Sequence, residues 1–486
     1  MKARWRRIPR AGRACALVAL LNAVAWGLLI PPFQVPDEIS HVYYATYLAQ
    51  TAKLPKVSAA PDLSQEENKL IDGVYFWNII GQPRNRGPLT DVENARLRAV
   101  ERSKLDKVGE GDASVATGNP PLYYALESIP YWVSPSRHLL DQLALMRLLS
   151  ALMAAGTVLA VFEFLRTLLP STPWSWSVGA LALAFQPTFG FMSGGVNNDS
   201  LLWLTSALAF LILARSFRDG LTRGRAVALG LMSAAALLSK LIFLGILPAV
   251  GLALVLLVAR AGRERRAELV RNAGIAAVCG AVPVAIYLGL AHFVWDRSLF
   301  NPGQISGTVG KTAHGTVSGA LSFTWQLFLP RLPSMNDWLP GFPLHQIWFN
   351  GFIGRFGWVD YGYPGWVYNL AWRIAIVIVV LAVIGLARSS RALRSRWPEL
   401  ACYVAAVVGE MFLIGLVDYQ SRITGQAPYE QARYLLPLGA LYAAVIALAA
   451  RAGGRRFGPV LGAALVMLAI GHSVFAQLIT LTRYYG

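Results

Sequence analysis

Directly after the first long apolar run stands Pro31-Pro32-Phe33-Gln34-Val35-Pro36-Asp37-Glu38-Ile39-Ser40-His41. Adjacent carboxylates with a nearby histidine are residue types that accept and pass protons. A positioned carboxylate acting as general base supplies about 10²–10⁴-fold in rate. The prolines end a helix and hold the chain extended, which sets Asp37 and Glu38 at a membrane surface. Spacing alone leaves a second reading open, in which the two acids cap the next helix, where acids are favoured in the first turn. His41 either orients the acids, binds a substrate or makes a structural hydrogen bond. Another acid, Glu410, interrupts an apolar run. Ionisable groups there are rare and usually functional or paired, and a buried ion-pair or packing role is the simplest reading. Cys15, Cys279 and Cys402 all fall inside apolar runs without metal-ligand spacing and read as small apolar residues.

The elements that must position these groups follow from composition. The 486 residues are 55% apolar and only 14% charged, against roughly 25% charged in a soluble domain. An aromatic content of 11% excludes a disordered chain. The net charge of +18 lacks the polar surface over which a nucleic-acid binder spreads its basic residues, so no nucleic-acid partner is expected. An all-α polytopic membrane protein remains. A span needs about 20 apolar residues, and the apolar runs give eleven helices, near 14–31, 142–166, 174–196, 200–217, 225–240, 241–259, 272–295, 367–387, 399–417, 433–450 and 457–481. The aromatic segment 120–133 is too short for a span and contains Glu127; a re-entrant or interfacial helix is expected. With eleven spans, 23 Lys and Arg fall in the amino-terminal segment and the short loops on its side, among them Arg166, Arg215, Arg218, Arg260 and Arg396. The positive-inside rule then puts the amino terminus in the cytoplasm and the carboxyl terminus outside. The first span reads as an uncleaved signal-anchor, because the apolar run continues past Ala23-Val24-Ala25. Arg far outnumbers Lys, which with high Ala suggests a bacterial cytoplasmic membrane.

Two loops on the outer side are large, 32–141 and 296–366, and the second carries Trp338, Trp348, Trp358 and Trp366. Aromatics there suit sugar stacking, although an interfacial belt is the better reading for any single Trp. Several short motifs fall at this side in order. They are Pro36-Asp37-Glu38 with His41 and Tyr43-Tyr44, then Asn119-Pro120-Pro121-Leu122-Tyr123-Tyr124, then Arg147 opening the second span. Asn197-Asn198-Asp199, Leu238-Ser239-Lys240, Phe352-Ile353-Gly354-Arg355-Phe356-Gly357-Trp358 and Arg433-Tyr434-Leu435-Leu436-Pro437 follow. In these marks the chain resembles the GT-C superfamily of membrane glycosyltransferases, particularly the branch of protein mannosyltransferases and aminoarabinose transferases.

The resemblance implies one integral-membrane GT-C-like domain over 1–486, a bundle of about eleven transmembrane helices. Its two extracytoplasmic loops, 32–141 and 296–366, carry juxtamembrane helices, and 367–486 supplies the C-terminal helices. It implies transfer of a sugar, with inversion, from a polyprenyl-phosphate donor to a lipid, glycan or protein acceptor outside the membrane. The base maps to Asp37, with Glu38 its neighbour. Substrate contacts map to His41, Tyr44, Asn119, Tyr123, Asn198 and Asp199. Many relatives carry His or Glu where this chain has Asn119, and an amide cannot shuttle protons. The phosphate leaving group calls for cations more than for an acid. Lys240, Arg433, Arg147 and Arg355 are the candidates, against a reading in which span-end cations snorkel to the interface. No obligatory cofactor is expected. A divalent cation on Asp37, Glu38 and Asp199 stays open. Two other functions remain: a lipid or glycan transporter or flippase, whose polar groups lie near the bilayer midplane, and a non-catalytic subunit of the same fold.

Overall fold

In hydrocarbon, a backbone must satisfy its own N–H and C=O groups, so apolar runs close into helices. A computed structural model describes residues 8–57, 63–87, 90–103, 112–113, 115–136, 138–295, 315–388, 395–425 and 430–486. Helix α1 is Arg10–Leu29, and α2, Glu38–Thr51, follows the proline segment. Three short helices continue the first loop, α3 (Gln65–Gly73), α4 (Phe76–Ile79) and α5 (Asp91–Arg102), before α6 (Leu122–Val133). Next come α7 (Leu139–Leu168), α8 (Pro173–Ala184), α9 (Pro187–Ser193), α10 (Asp199–Asp219), α11 (Arg223–Leu237), α12 (Leu247–Ala259) and α13 (Arg263–Phe293). After the second loop, with α14 (Val317–Phe328) and α15 (Gly351–Gly354), the chain ends in α16 (Gly365–Ala387), α17 (Trp397–Ile423), α18 (Gly439–Arg451) and α19 (Gly454–Tyr485). Among the described residues, strands are confined to two-residue pairs, β1 (Lys56–Val57) parallel to β2 (Asp112–Ala113) and β3 (Arg355–Phe356) antiparallel to β4 (Tyr361–Gly362).

All eleven expected segments are helical. Among the described residues, nine helical segments are long and apolar enough to cross a membrane. The other two are shorter. The run 174–196 breaks between α8 and α9 because Pro187 lacks a backbone N–H and excludes its ring from a continuing helix. Gln186 caps the second piece by accepting from the Phe189 amide at 2.6 Å. Helix α11 has 15 residues. Helix α6, at 12 residues, is likewise too short to span and lies between α2 and α7.

Helix α7 is the hub, packed against α1, α8 and α10. Lipid tails are as apolar as leucine, so close backbone approach drives helix association more than burial does. At several helix crossings a side chain has no room. A Cβ on Gly409 would meet the carbonyl oxygen of Gly245, and one on Gly385 would meet that of Leu448. By contrast α13 and α16 expose valines, leucines and isoleucines outward, the surface a bilayer covers. Gly409→Ala is therefore expected to cost about 1–3 kcal/mol and to lower the melting temperature in detergent. Gly251→Ala, whose Cβ would meet nothing, is expected not to lower that temperature.

Candidate active site

The end of α1 leaves carbonyls that no helical N–H can reach. Arg147, on α7, fills that gap. Its Nη1 donates to the carbonyls of Gly27 and Ile30, both at 2.8 Å, and its Nη2 to that of Pro31 at 3.0 Å. The remaining donors form a bidentate pair with Glu38, Nε to Oε1 at 2.8 Å and Nη2 to Oε2 at 2.7 Å. Glu38, fully buried, also accepts from the Phe33 and Val196 amides. All five guanidinium N–H groups are thereby used within the protein. Glu38 and Arg147, expected at the base and at the phosphate, instead join each other and fix the proline segment.

Asp37, the neighbouring acid, points elsewhere. Its backbone is left-handed, at φ 63°, a conformation that costs a non-glycine residue on the order of 1–3 kcal/mol and clusters at functional sites. The Asn197 side chain donates to the Pro36 carbonyl at 3.4 Å. The Asp37 carboxylate accepts from Arg433 Nη2 at 2.7 Å and is 21% exposed. Arg433 Nε stands 4.0 Å from Asp199 Oδ2, and Asp199 Oδ1 pairs with Lys240 Nζ at 2.6 Å. Both cations lie over the Tyr434 ring, at 4.9 Å for Lys240 and 5.3 Å for Arg433. The turns that present them are cross-tied: Asn198 donates to the Ser239 carbonyl, Leu122 to that of Leu238, and Asn197 accepts from the Asp199 amide. Asp37, Asp199, Lys240 and Arg433, drawn from four distant segments, thus form one alternating chain of charges. Among the described residues, Arg433 Nε has no hydrogen-bond acceptor.

An aromatic wall borders this chain. His41 Nδ1 meets the Tyr124 hydroxyl at 2.9 Å, and Tyr44 stacks on Tyr124 at 3.7 Å. Tyr44 also donates to the Asn119 carbonyl at 3.4 Å. Burial pushes His41 down to about 3, more than Asp37 pulls it up, so it is neutral at physiological pH. Burial would raise Asp37, but the charge and hydrogen bond of Arg433, with the charge of Lys240, hold its carboxyl below the usual range. Tyr123 turns the other way, bonding Ser150, which donates to Glu127. Burial lifts Glu127 to about 8. Asn119 donates to the Ala116 carbonyl. Arg355, which is exposed, and Arg433, which is buried, share a crevice of about 90 Å³ with Pro36 and Met192.

Glu410 is fully buried beside Gly245, behind Lys240, and neither oxygen has a hydrogen-bond partner among the described residues. Of the tryptophans, Trp348 is buried and donates to the Leu327 carbonyl, Trp338 packs edge-on to Tyr419, and Trp358 meets Phe76. Trp366 is exposed. Of the three acids considered for a divalent ion, Glu38 is held by Arg147, Asp199 by Lys240 and Asp37 by Arg433. Among the described residues, no group of three or more His, Cys, Asp or Glu could hold a metal. The sequence motifs contained Tyr124 and Tyr434 but gave no sign of their partners.

A family model described as a predicted membrane protein, DUF2142, matches residues 20–442. No curated protein matches the sequence. Among solved structures, the Archaeoglobus fulgidus oligosaccharyltransferase in complex with Zn and sulfate is similar. The TM-score is 0.50 at 15% identity, over 97% of this chain and 53% of that one. Its apo form gives 0.45 at 13% identity, over 97% and 56%. The chain thus spans about half the length of these structures, and the shared architecture is a GT-C fold.

Two outcomes follow from the geometry. Arg147→Met leaves Glu38 buried without a counter-ion, a loss of about 3–5 kcal/mol, visible as a collapse in monodisperse yield or melting temperature. The second concerns His41. Between pH 6.5 and about 3 the unfolded chain binds a proton that folded His41 refuses, so stability falls as pH drops through that window. The melting temperature of His41→Gln should decline less steeply from pH 7 to 4 than that of the unaltered protein.

Proposed function

The chain belongs to the DUF2142 family of predicted membrane proteins, and from that premise we propose that it is an inverting glycosyltransferase using a polyprenyl-phosphate sugar. The observation that carries this reading is the placement of a partly exposed carboxylate, Asp37, on a guanidinium that is otherwise buried. Lys240 stands one carboxylate further along. A base and a phosphate site are then within one cluster.

Asp37 accepts the proton of an acceptor hydroxyl as that oxygen attacks the anomeric carbon. The bond from that carbon to the phosphate oxygen breaks on the opposite side, and the electron pair leaves with the polyprenyl phosphate. Arg433 and Lys240 stabilise the phosphate, the first by directed hydrogen bonds and the second as a point charge. His41, neutral, and Tyr44 border the acceptor. Asn198 and Asp199 hold the cations in place, and Arg355 contributes charge at the rim of the crevice. No step is routed through a divalent ion. The acceptor is a lipid, glycan or protein. The membrane is the bacterial cytoplasmic membrane, with the amino terminus inside and the site outside. The supporting observation is that Asp199 and Arg218 lie at opposite ends of α10.

One consequence is specific to this arrangement. Donor phosphate and Asp37 compete for Arg433, so the donor must loosen the 2.7 Å pair, and in doing so it frees the base. Asp37→Asn should fold normally and lose transfer by about 10²–10⁴-fold, while binding donor at least as tightly as the unaltered protein. Transfer of labelled sugar from polyprenyl phosphate, with donor binding measured in parallel, tests this. Full transfer by Asp37→Asn would sink the assignment.

A further inference from the structure

At the end of the bundle opposite Asp37 lies a second polar cavity, of about 480 Å³. It sits where α7, α10 and α12 finish and α17 begins. Helix α10 alone, 21 residues long, puts it about 30 Å from Asp199 at 1.5 Å per residue. Arg218, Arg260 and Arg396 line it together with Thr167, Ser216 and Glu399.

The charges around this cavity do not balance. Glu163 pairs with both Arg166 and Arg215, Asp219 with Arg225 and at 3.8 Å with Arg218, and Glu399 with Arg396. Five arginines thus share three carboxylates, and Arg260 brings the excess to three positive charges. Among the described residues, Arg260 has no carboxylate within ion-pair distance and rests on the Trp397 ring, 5.9 Å from its centroid. The amino terminus of α17 adds the positive end of its dipole. Fixing topology needs only that arginines be present on one side. It does not need them ranged around a cavity of ligand size.

We propose that this cavity is a second anion site, taking a phosphate group with Arg218, Arg260 and Arg396 as its donors. Arginine forks match phosphate oxygens. The carriers of such a group are an anionic phospholipid headgroup at this membrane face and free phosphate. The site is independent of the glycosyltransferase reading. A bound phosphate would bridge α10, α12 and α17 at the ends opposite those that lead to Asp199, Lys240 and Arg433.

The test uses the full chain purified in detergent, with three probes: short-chain phosphatidylglycerol, phosphatidylcholine of the same chain length, and inorganic phosphate. Binding is followed by native mass spectrometry and titration. Phosphatidylglycerol is expected to bind in preference to phosphatidylcholine, and Arg218→Gln/Arg260→Gln to weaken it at least about 10-fold, the scale of lost charge-assisted hydrogen bonds. Arg263→Gln/Arg266→Gln, with the same change of charge on exposed α13 positions, should leave binding unaltered. If inorganic phosphate binds with the same dependence on Arg218 and Arg260, the free ion is a ligand too; if only phosphatidylglycerol does, the headgroup is. Equal weakening by both double variants, or no weakening by the first, overturns the proposal. Should the first double variant fail to fold, Arg260→Gln carries the same comparison against Arg263→Gln.

Discussion

The arrangement depends on one constraint, that the end of the first span be closed without water. Gly27, Ile30 and Pro31 present carbonyls inside the protein, and Glu38 brings a full negative charge to the same place. Arg147 satisfies them all. A guanidinium with every N–H bonded is rigid, and its attachment to α7 makes the proline segment part of the bundle. Only then is the left-handed backbone at Asp37 tolerable, because its neighbours on both sides are fixed: Glu38 by Arg147, Pro36 through its carbonyl by Asn197. The partly exposed carboxylate is positioned by the buried one beside it.

The same economy governs the site. Four charges lie close together, two of each sign, so the cluster is neutral before any ligand enters. Isolated buried charges are costly, and the alternation Asp37, Arg433, Asp199, Lys240 removes most of that cost. It also sets what can enter. An anion that takes Arg433 must return a carboxylate to solvent, and the released carboxylate is Asp37, the most exposed member. Asp199 lies deeper between both cations, paired with Lys240 and 4.0 Å from Arg433.

Much of this was legible in sequence, and the failures are instructive. Eleven helical segments were readable because apolar runs and bilayer thickness leave few alternatives. Asp37, Asp199, Lys240 and Arg433 stood out because each lies where an apolar run ends and because the motifs resemble one superfamily. Whether Glu38 or Asp37 faces the site was not readable, since adjacent residues look alike until a partner is known. Glu38's partner is 109 positions away. Tyr123 and Tyr124 pose the same problem: on a helix, neighbours in sequence face different ways, and it is the Tyr124 hydroxyl that bonds His41 while that of Tyr123 bonds Ser150. The break at Gln186 was hidden because Pro187 lay within an otherwise uninterrupted apolar stretch.

Charge and helix polarity together explain why the two ends of the bundle differ. Asp199 occupies the first turn of α10, where the positive end of the dipole favours an acid, and Arg218 the last turn, where the negative end favours a cation. Helix α17 has the same pattern, with Glu399 in its first turn and Arg422 in its last. At the site end, every cation that touches the cluster is matched by an acid and held inside the protein. At the opposite end, the arginines outnumber their acids and remain largely exposed. The chain's excess of positive charge therefore does not bear on the candidate chemistry. It lies mostly where the helices turn back, and there it sets the potential that any anion at that membrane face meets.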